Sequence, residues 1–113
     1  MAQADFIHEG DAVDYTPGTA VTAGDVVVLS NLVGVAKLDI AANVLGALAV
    51  TGVFDFAKAS GGGVTFSVGD LVYWDDANHL AVTTDGGGAN KRVGNAVADA
   101  ADADATVRAR LSQ

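Results

Sequence analysis

Three Gly-Asp pairs punctuate the chain, Gly10-Asp11, Gly24-Asp25 and Gly69-Asp70, and each leads into an apolar run. Glycine accepts the positive φ of a tight turn, and a short Asp side chain bonds the neighbouring backbone. Val26-Val27-Val28-Leu29 follows the second pair and Leu71-Val72-Tyr73-Trp74 the third. This predicts short strands entering a sheet from tight turns. Alternation adds strands at residues 11–15, 47–51, 53–56 and 80–84, and most clearly at 106–111. There Thr106, Arg108 and Arg110 face one way and Val107, Ala109 and Leu111 the other. Gly52 marks a bend between two of these strands. Seventeen valines favour strand, while 22 alanines keep helix in play locally. Residues 37–46 read as a connection holding at most one short helix. Residues 61–63 and 86–88 are all glycine and predict loops.

The second and third Gly-Asp pairs belong to a longer echo. Val21-Thr22-Ala23-Gly24-Asp25 matches Phe66-Ser67-Val68-Gly69-Asp70 in residue character. Val33-Gly34-Val35-Ala36 likewise matches Val93-Gly94-Asn95-Ala96. The echo fits an internal duplication with a longer insertion in the second copy. It also fits convergent use of one turn.

The length, 113 residues and 11.3 kDa, suits one core, with roughly 5,700 Å² of surface expected for a folded monomer of this mass. The expected fold class is all-β: a small single-domain barrel or β-tulip-like fold with short strands, Gly-rich loops and an N-terminal arm. A small sandwich stands beside the barrel, with strand order open. Residues 1–8 read as a flexible or partner-binding arm and residues 9–113 as the single β-rich domain.

Fourteen acids, thirteen of them Asp, oppose three Lys and three Arg, for a net charge of −8. Nucleic acid and anionic membrane are therefore not expected as partners. The chain has no Cys, which removes disulfides and thiolate chemistry. The start of the chain lacks a basic segment followed by an apolar one, so no signal peptide is expected, and no apolar run approaches a membrane span.

The pattern offers no catalytic, cofactor-binding or metal-binding residues. No G-x-x-x-x-G-K-[ST] loop exists: Arg92 follows Lys91 where a hydroxyl would have to stand. None of the four serines lies in G-x-S-x-G. Asp75, Asp76 and His79 could make a ligand set, but their setting reads as a hairpin turn. Asp99, Asp102 and Asp104 lack the full pattern of a calcium loop and read as a solvated acidic turn. What remains are candidate interface residues. Phe6 and Ile7 lie in the arm, just outside the first turn. Tyr73 and Trp74 face opposite sides of one strand, so one belongs to the core and the other to the surface. Arg108 and Arg110 share the outer face of the last strand, as edge protection or as partners for the acids of a second subunit.

In order along the chain, Phe6-Ile7-His8-Glu9-Gly10-Asp11, Val21-Thr22-Ala23-Gly24-Asp25-Val26-Val27-Val28 and Leu32-Val33-Gly34-Val35-Ala36 come first. Val50-Thr51-Gly52-Val53-Phe54-Asp55-Phe56-Ala57-Lys58, Val68-Gly69-Asp70-Leu71-Val72-Tyr73-Trp74-Asp75-Asp76 and Ala105-Thr106-Val107-Arg108-Ala109-Arg110-Leu111 follow. Together they resemble the capsid cement, or decoration, proteins of tailed bacteriophages, small head proteins often labelled recombinase-like. The resemblance implies a compact β-rich structural protein without enzymatic activity or cofactor. It implies binding to the major capsid protein on the outer surface of the virion, often as a homo-oligomer (a trimer), after synthesis in the host cytoplasm. The missing phosphate loop and the acidic charge speak against the recombinase label. A carbohydrate- or host-surface-binding module on a virion is the alternative, with Trp74, Tyr73, Asp75 and Asp76 as its sugar platform.

Overall fold

A computed structural model describes residues 3–112. Nine strands follow in order: β1 (Ala12–Tyr15), β2 (Val26–Leu29), β3 (Leu32–Val35), β4 (Gly46–Ala49), β5 (Gly52–Ala57), β6 (Leu71–Asp75), β7 (Leu80–Val82), β8 (Lys91–Ala96) and β9 (Thr106–Leu111). They form two antiparallel sheets, β1-β4-β3-β2 and β5-β9-β8-β6-β7. The all-β expectation holds. Of the two layouts left open, the barrel gives way to two packed open sheets. A lone bridge from Lys58 to Ala81 links the end of β5 to β7 without closing the second sheet. Residues 37–46 form no helix; Ile40 pairs with Val21, and a turn leads into β4.

The echo in the sequence is a repeat in the structure. Without β7, both sheets have one order: first strand, last, third, second. The turns match bond for bond. Gly24 and Gly69 both adopt φ +95°, at the third position of a four-residue turn that demands it. The Thr22 amide donates to the Asp25 carboxylate at 3.0 Å, and the Ser67 amide to Asp70 at 2.9 Å. From the far side of each repeat, Asp39 accepts from the Ala23 amide at 2.8 Å and Asp99 from Val68 at 3.0 Å. The bridge Val21–Ile40 recurs as Phe66–Ala100. The first half of each motif is offset by 45 residues and the second by 60, so fifteen residues are inserted between β6 and β8. They hold β7 and a 3₁₀ turn at Gly86–Gly88. Gly10, of the first Gly-Asp pair, has no positive φ and opens a different turn.

One core lies between the sheets. Val33 and Val35 of the first sheet join Phe56, Val72, Trp74, Val93, Val107 and Leu111 of the second and Phe66 from the segment before β6, and Val26 and Val28 pack on them. The opposite face of the first sheet gathers a smaller cluster. Ala36, Ile40 and Leu48 are buried there, while Val13, Tyr15, Val21, Val27 and Leu29 remain half-buried.

β3 and β8 each carry a glycine within the strand, Gly34 and Gly94. The backbone needs both glycines. A Cβ on Gly34 would lie 2.9 Å from the Leu48 Cβ, and one on Gly94 would lie 1.9 Å from the Arg110 carbonyl oxygen. Beside Gly94 the β6–β8 register shifts between Val72 and Tyr73, and Val93 is fully buried at that bulge.

The first Gly-rich segment, residues 61–63, is tied down by Asp102. Its carboxylate accepts from the amides of Gly61, Gly62 and Val64, at 2.8 Å for Val64. Lys58, buried beside it, donates to the carbonyls of Ala59 and Asp102. The Val64 amide first, with the glycine amides, holds the Asp102 carboxyl below the usual carboxylate range. A depressed folded pKa gives stability that is present above the unfolded value, about 3.9, and lost as pH falls through the folded one.

Two outcomes follow from this packing. Gly94→Ala destabilises by about 3 kcal/mol or more and lowers Tm by upwards of ~10 °C, whereas Gly18→Ala, with open space around it, leaves Tm nearly unchanged. In acid titrations followed by circular dichroism, Asp102→Asn loses less stability than wild type between about pH 5 and pH 2. Parallel titration curves would remove Asp102 from the acid response.

Candidate functional site

The arm comes first. Residues 3–9 form no strand, and Phe6 and Ile7 are 80% and 81% exposed. Met1 and Ala2 of the expected arm lie outside the described residues. The arm enters the fold at Asp11, beside β1, an edge strand of the first sheet. Asp11 and Ala12 also line a groove of about 880 Å³. Ala47 and Ala49 of β4 join Ala12 in the groove, and Leu38, Val44 and Leu45 line it from the 37–45 connection. Leu38 and Leu45 are 77% and 65% exposed. Lys37 also lines the groove and forms no ion pair among the described residues. Small side chains beside large exposed ones make a trough that suits an extended apolar segment.

The outer face of the second sheet is the other exposed feature. Cross-strand partners share a face, and the register pairs Leu71 with Asn95, Tyr73 with Arg92, Asn95 and Val53 with Arg110, and Asp55 with Arg108. All three arginines of the chain therefore stand on this one face. Arg108 is paired in two places with Asp55, at 2.9 and 3.2 Å. That hydrogen bond lowers the Asp55 pKa and raises that of Arg108. Arg110 has no carboxylate partner among the described residues.

Tyr73 and Trp74 divide as expected. Trp74 is 4% exposed, with its ring edge-on to Phe56 at 6.1 Å, and Tyr73 is half-buried on the outer face. The indole N–H donates to Asp76 at 3.2 Å. Asp75 accepts from Asn78, chiefly its side-chain amide at 2.8 Å, which depresses the Asp75 pKa. The four residues of the sugar platform thus serve one strand end and its turn, and no indole face is open for stacking. The carboxylates of Asp99, Asp102 and Asp104 each hold backbone amides. Among the described residues, no three His, Asp or Glu gather as a metal-ligand set, and no helix is long and apolar enough to cross a membrane.

A family model described as phage cement protein matches residues 7–111 of the 113. The chain belongs to the phage cement protein family. Neither the curated proteins nor the solved structures compared with it give a match. A cement protein has a structural, capsid-associated role, and its place is the capsid of a virion. The matched stretch begins at Ile7, inside the arm, and ends at Leu111, the last residue of β9.

Phe6 and Ile7 stand together at the arm, and Tyr73, Arg108 and Arg110 stand together on the outer face. Trp74 is separated from both by the sheet. The reading from residues missed Arg92, which only the register brings beside Tyr73, and it missed the groove. A signal for the groove was present: Leu38, Val44 and Leu45 are large apolar residues in a connection with no strand to bury them. Because none of these side chains supports the core, Phe6→Asp/Ile7→Asp and Leu38→Asp/Leu45→Asp each leave Tm within about 3 °C of wild type. A larger fall in differential scanning calorimetry would place the arm or the groove inside the chain's own packing.

Proposed function

We propose that this cement protein binds the outer surface of a phage capsid and stabilises the lattice of the major capsid protein, with its arm and the adjoining groove as the grip. The observation that carries the reading is the exposed apolar pair Phe6-Ile7, rooted beside an open edge strand and a groove lined by Leu38, Val44 and Leu45. An extended arm next to a free strand edge suits β-augmentation, in which main-chain bonds add a strand to a sheet of the partner. Each contact is small, but a shell repeats it many times, and multivalency turns weak contacts into stable occupancy. A ligand that binds only the assembled shell stabilises it by mass action. The acidic loops face water in this arrangement. The protein acts as a homo-oligomer, in the family manner a trimer, and is made in the host cytoplasm. Enzymatic activity has no part in it.

The test is co-sedimentation with intact capsids stripped of the protein, both expanded and unexpanded. Saturable binding at a fixed fraction of the capsid subunits, favouring the expanded shell, is expected. Deleting residues 2–8 should lower capsid occupancy at least about tenfold. Unchanged occupancy would remove the arm from the grip, and no binding of the wild-type chain to either shell would overturn the reading. Genome release on heating should occur at a higher temperature in decorated particles than in bare ones.

A further inference from the structure

Every arginine of the chain stands on the outer face of the second sheet, although acids outnumber bases fourteen to six. Edge protection does not account for them. β8 lies between β6 and β9, and β9 between β8 and β5, so Arg92, Arg108 and Arg110 sit on interior strands. The acids of the same face are already engaged. Asp55 holds Arg108, and Asp75 holds the amides of the turn that follows β6. Two guanidinium groups remain. Arg110 has no carboxylate partner among the described residues, and Arg92 reaches the Asn95 side-chain oxygen at 3.5 Å. Exposed apolar side chains stand around them. Val53 and Leu71 are 56% and 42% exposed. Val97, which continues β8 opposite Arg108, is 40% exposed.

We propose that this face docks an acidic protein surface whose carboxylates are set among apolar side chains. The Asp55–Arg108 pair shows the geometry within the chain: a carboxylate on the neighbouring strand takes both arms of the guanidinium fork. At the next outward position of β9, Arg110 stands opposite Val53 instead, so the matching carboxylate has to come from outside. Arginine suits this role because its planar fork binds a carboxylate bidentately and sheds water more readily than an ammonium group. Val53, Leu71 and the half-buried Tyr73 add apolar contact area, and Tyr and Arg are the residues that interfaces favour. A nucleic acid or a lipid headgroup fits less well. Its phosphates would gain two free arginines, meet a molecule of net charge −8, and leave the apolar side chains uncovered. The inference concerns a surface other than the arm and groove and does not rest on the capsid reading.

The experiment uses the full chain without capsids, with a fluorescent peptide of alternating Glu and Val as the probe. Fluorescence anisotropy should give saturable binding with Kd below about 1 mM, weakened at least about tenfold between roughly 0.05 and 0.5 M NaCl. The matching peptide of Gln and Val should bind at least about tenfold more weakly. The double variant Arg92→Gln/Arg110→Gln should lose at least about tenfold in affinity for the acidic peptide while circular dichroism and Tm stay unchanged. Lys37→Gln, in the groove, should bind the peptide as wild type does. No binding of the acidic peptide would overturn the inference. So would binding that survives in the double variant or is lost in Lys37→Gln, which would put the peptide at a sheet edge or in the groove. Tighter binding of duplex DNA or of phosphatidylglycerol vesicles than of the peptide would overturn it as well.

Discussion

The fold depends on one small interaction used many times: an Asp carboxylate accepting a backbone amide in a turn. Eight of the thirteen Asp residues do this, namely Asp25, Asp39, Asp70, Asp75, Asp85, Asp99, Asp102 and Asp104. The single Glu against thirteen Asp then has a physical reason. For five of the eight, Asp25, Asp70, Asp75, Asp85 and Asp104, one methylene between backbone and carboxylate lets the side chain reach an amide two or three residues away, where a longer one overshoots. Asp39, Asp99 and Asp102 hold amides from distant segments. The strands are only three to six residues long, so turns and crossings make up much of the chain. Their amides must be satisfied without helices, and the carboxylates do it. The charge that looks like a surface property is largely a structural one.

Much of this was legible in the residues. Gly24-Asp25 and Gly69-Asp70 announced their turns because the chemistry is local: a positive φ and a neighbouring acceptor. The alternation of residues 106–111 announced β9, and adjacency alone put Tyr73 and Trp74 on opposite faces. Non-local features were harder to read. Gly34 and Gly94 weaken strand propensity, yet both lie where another chain segment comes too close for a Cβ, and only the assembled sheets show that approach. Register likewise decided that Arg92 joins Arg108 and Arg110, although 16 residues separate it from Arg108. The echo was visible, but its meaning lay in hydrogen bonds that sequence does not display.

The repeats explain how an acidic chain with a modest core presents distinct surfaces. Each repeat builds one sheet, and the two sheets carry different side chains on their open faces. The arm and groove lie at the β1–β4 side of the first sheet, and the arginine face is built from the strands of the second. Different partners can therefore engage the molecule through different sheets.

The smaller cluster has a consequence for motion. Only Ala36, Ile40 and Leu48 are buried in it, against thirteen residues in the main core. Regions with few buried apolar contacts open at lower free energy than the global unfolding transition. Amides of β1 and β4 should thus exchange with solvent well before those of β8 and β9. The molecule has a rigid half and a compliant half, and the arm is attached to the compliant one. A chain built this way can adjust the sheet beside its anchor to small differences between binding positions while the other sheet keeps its shape.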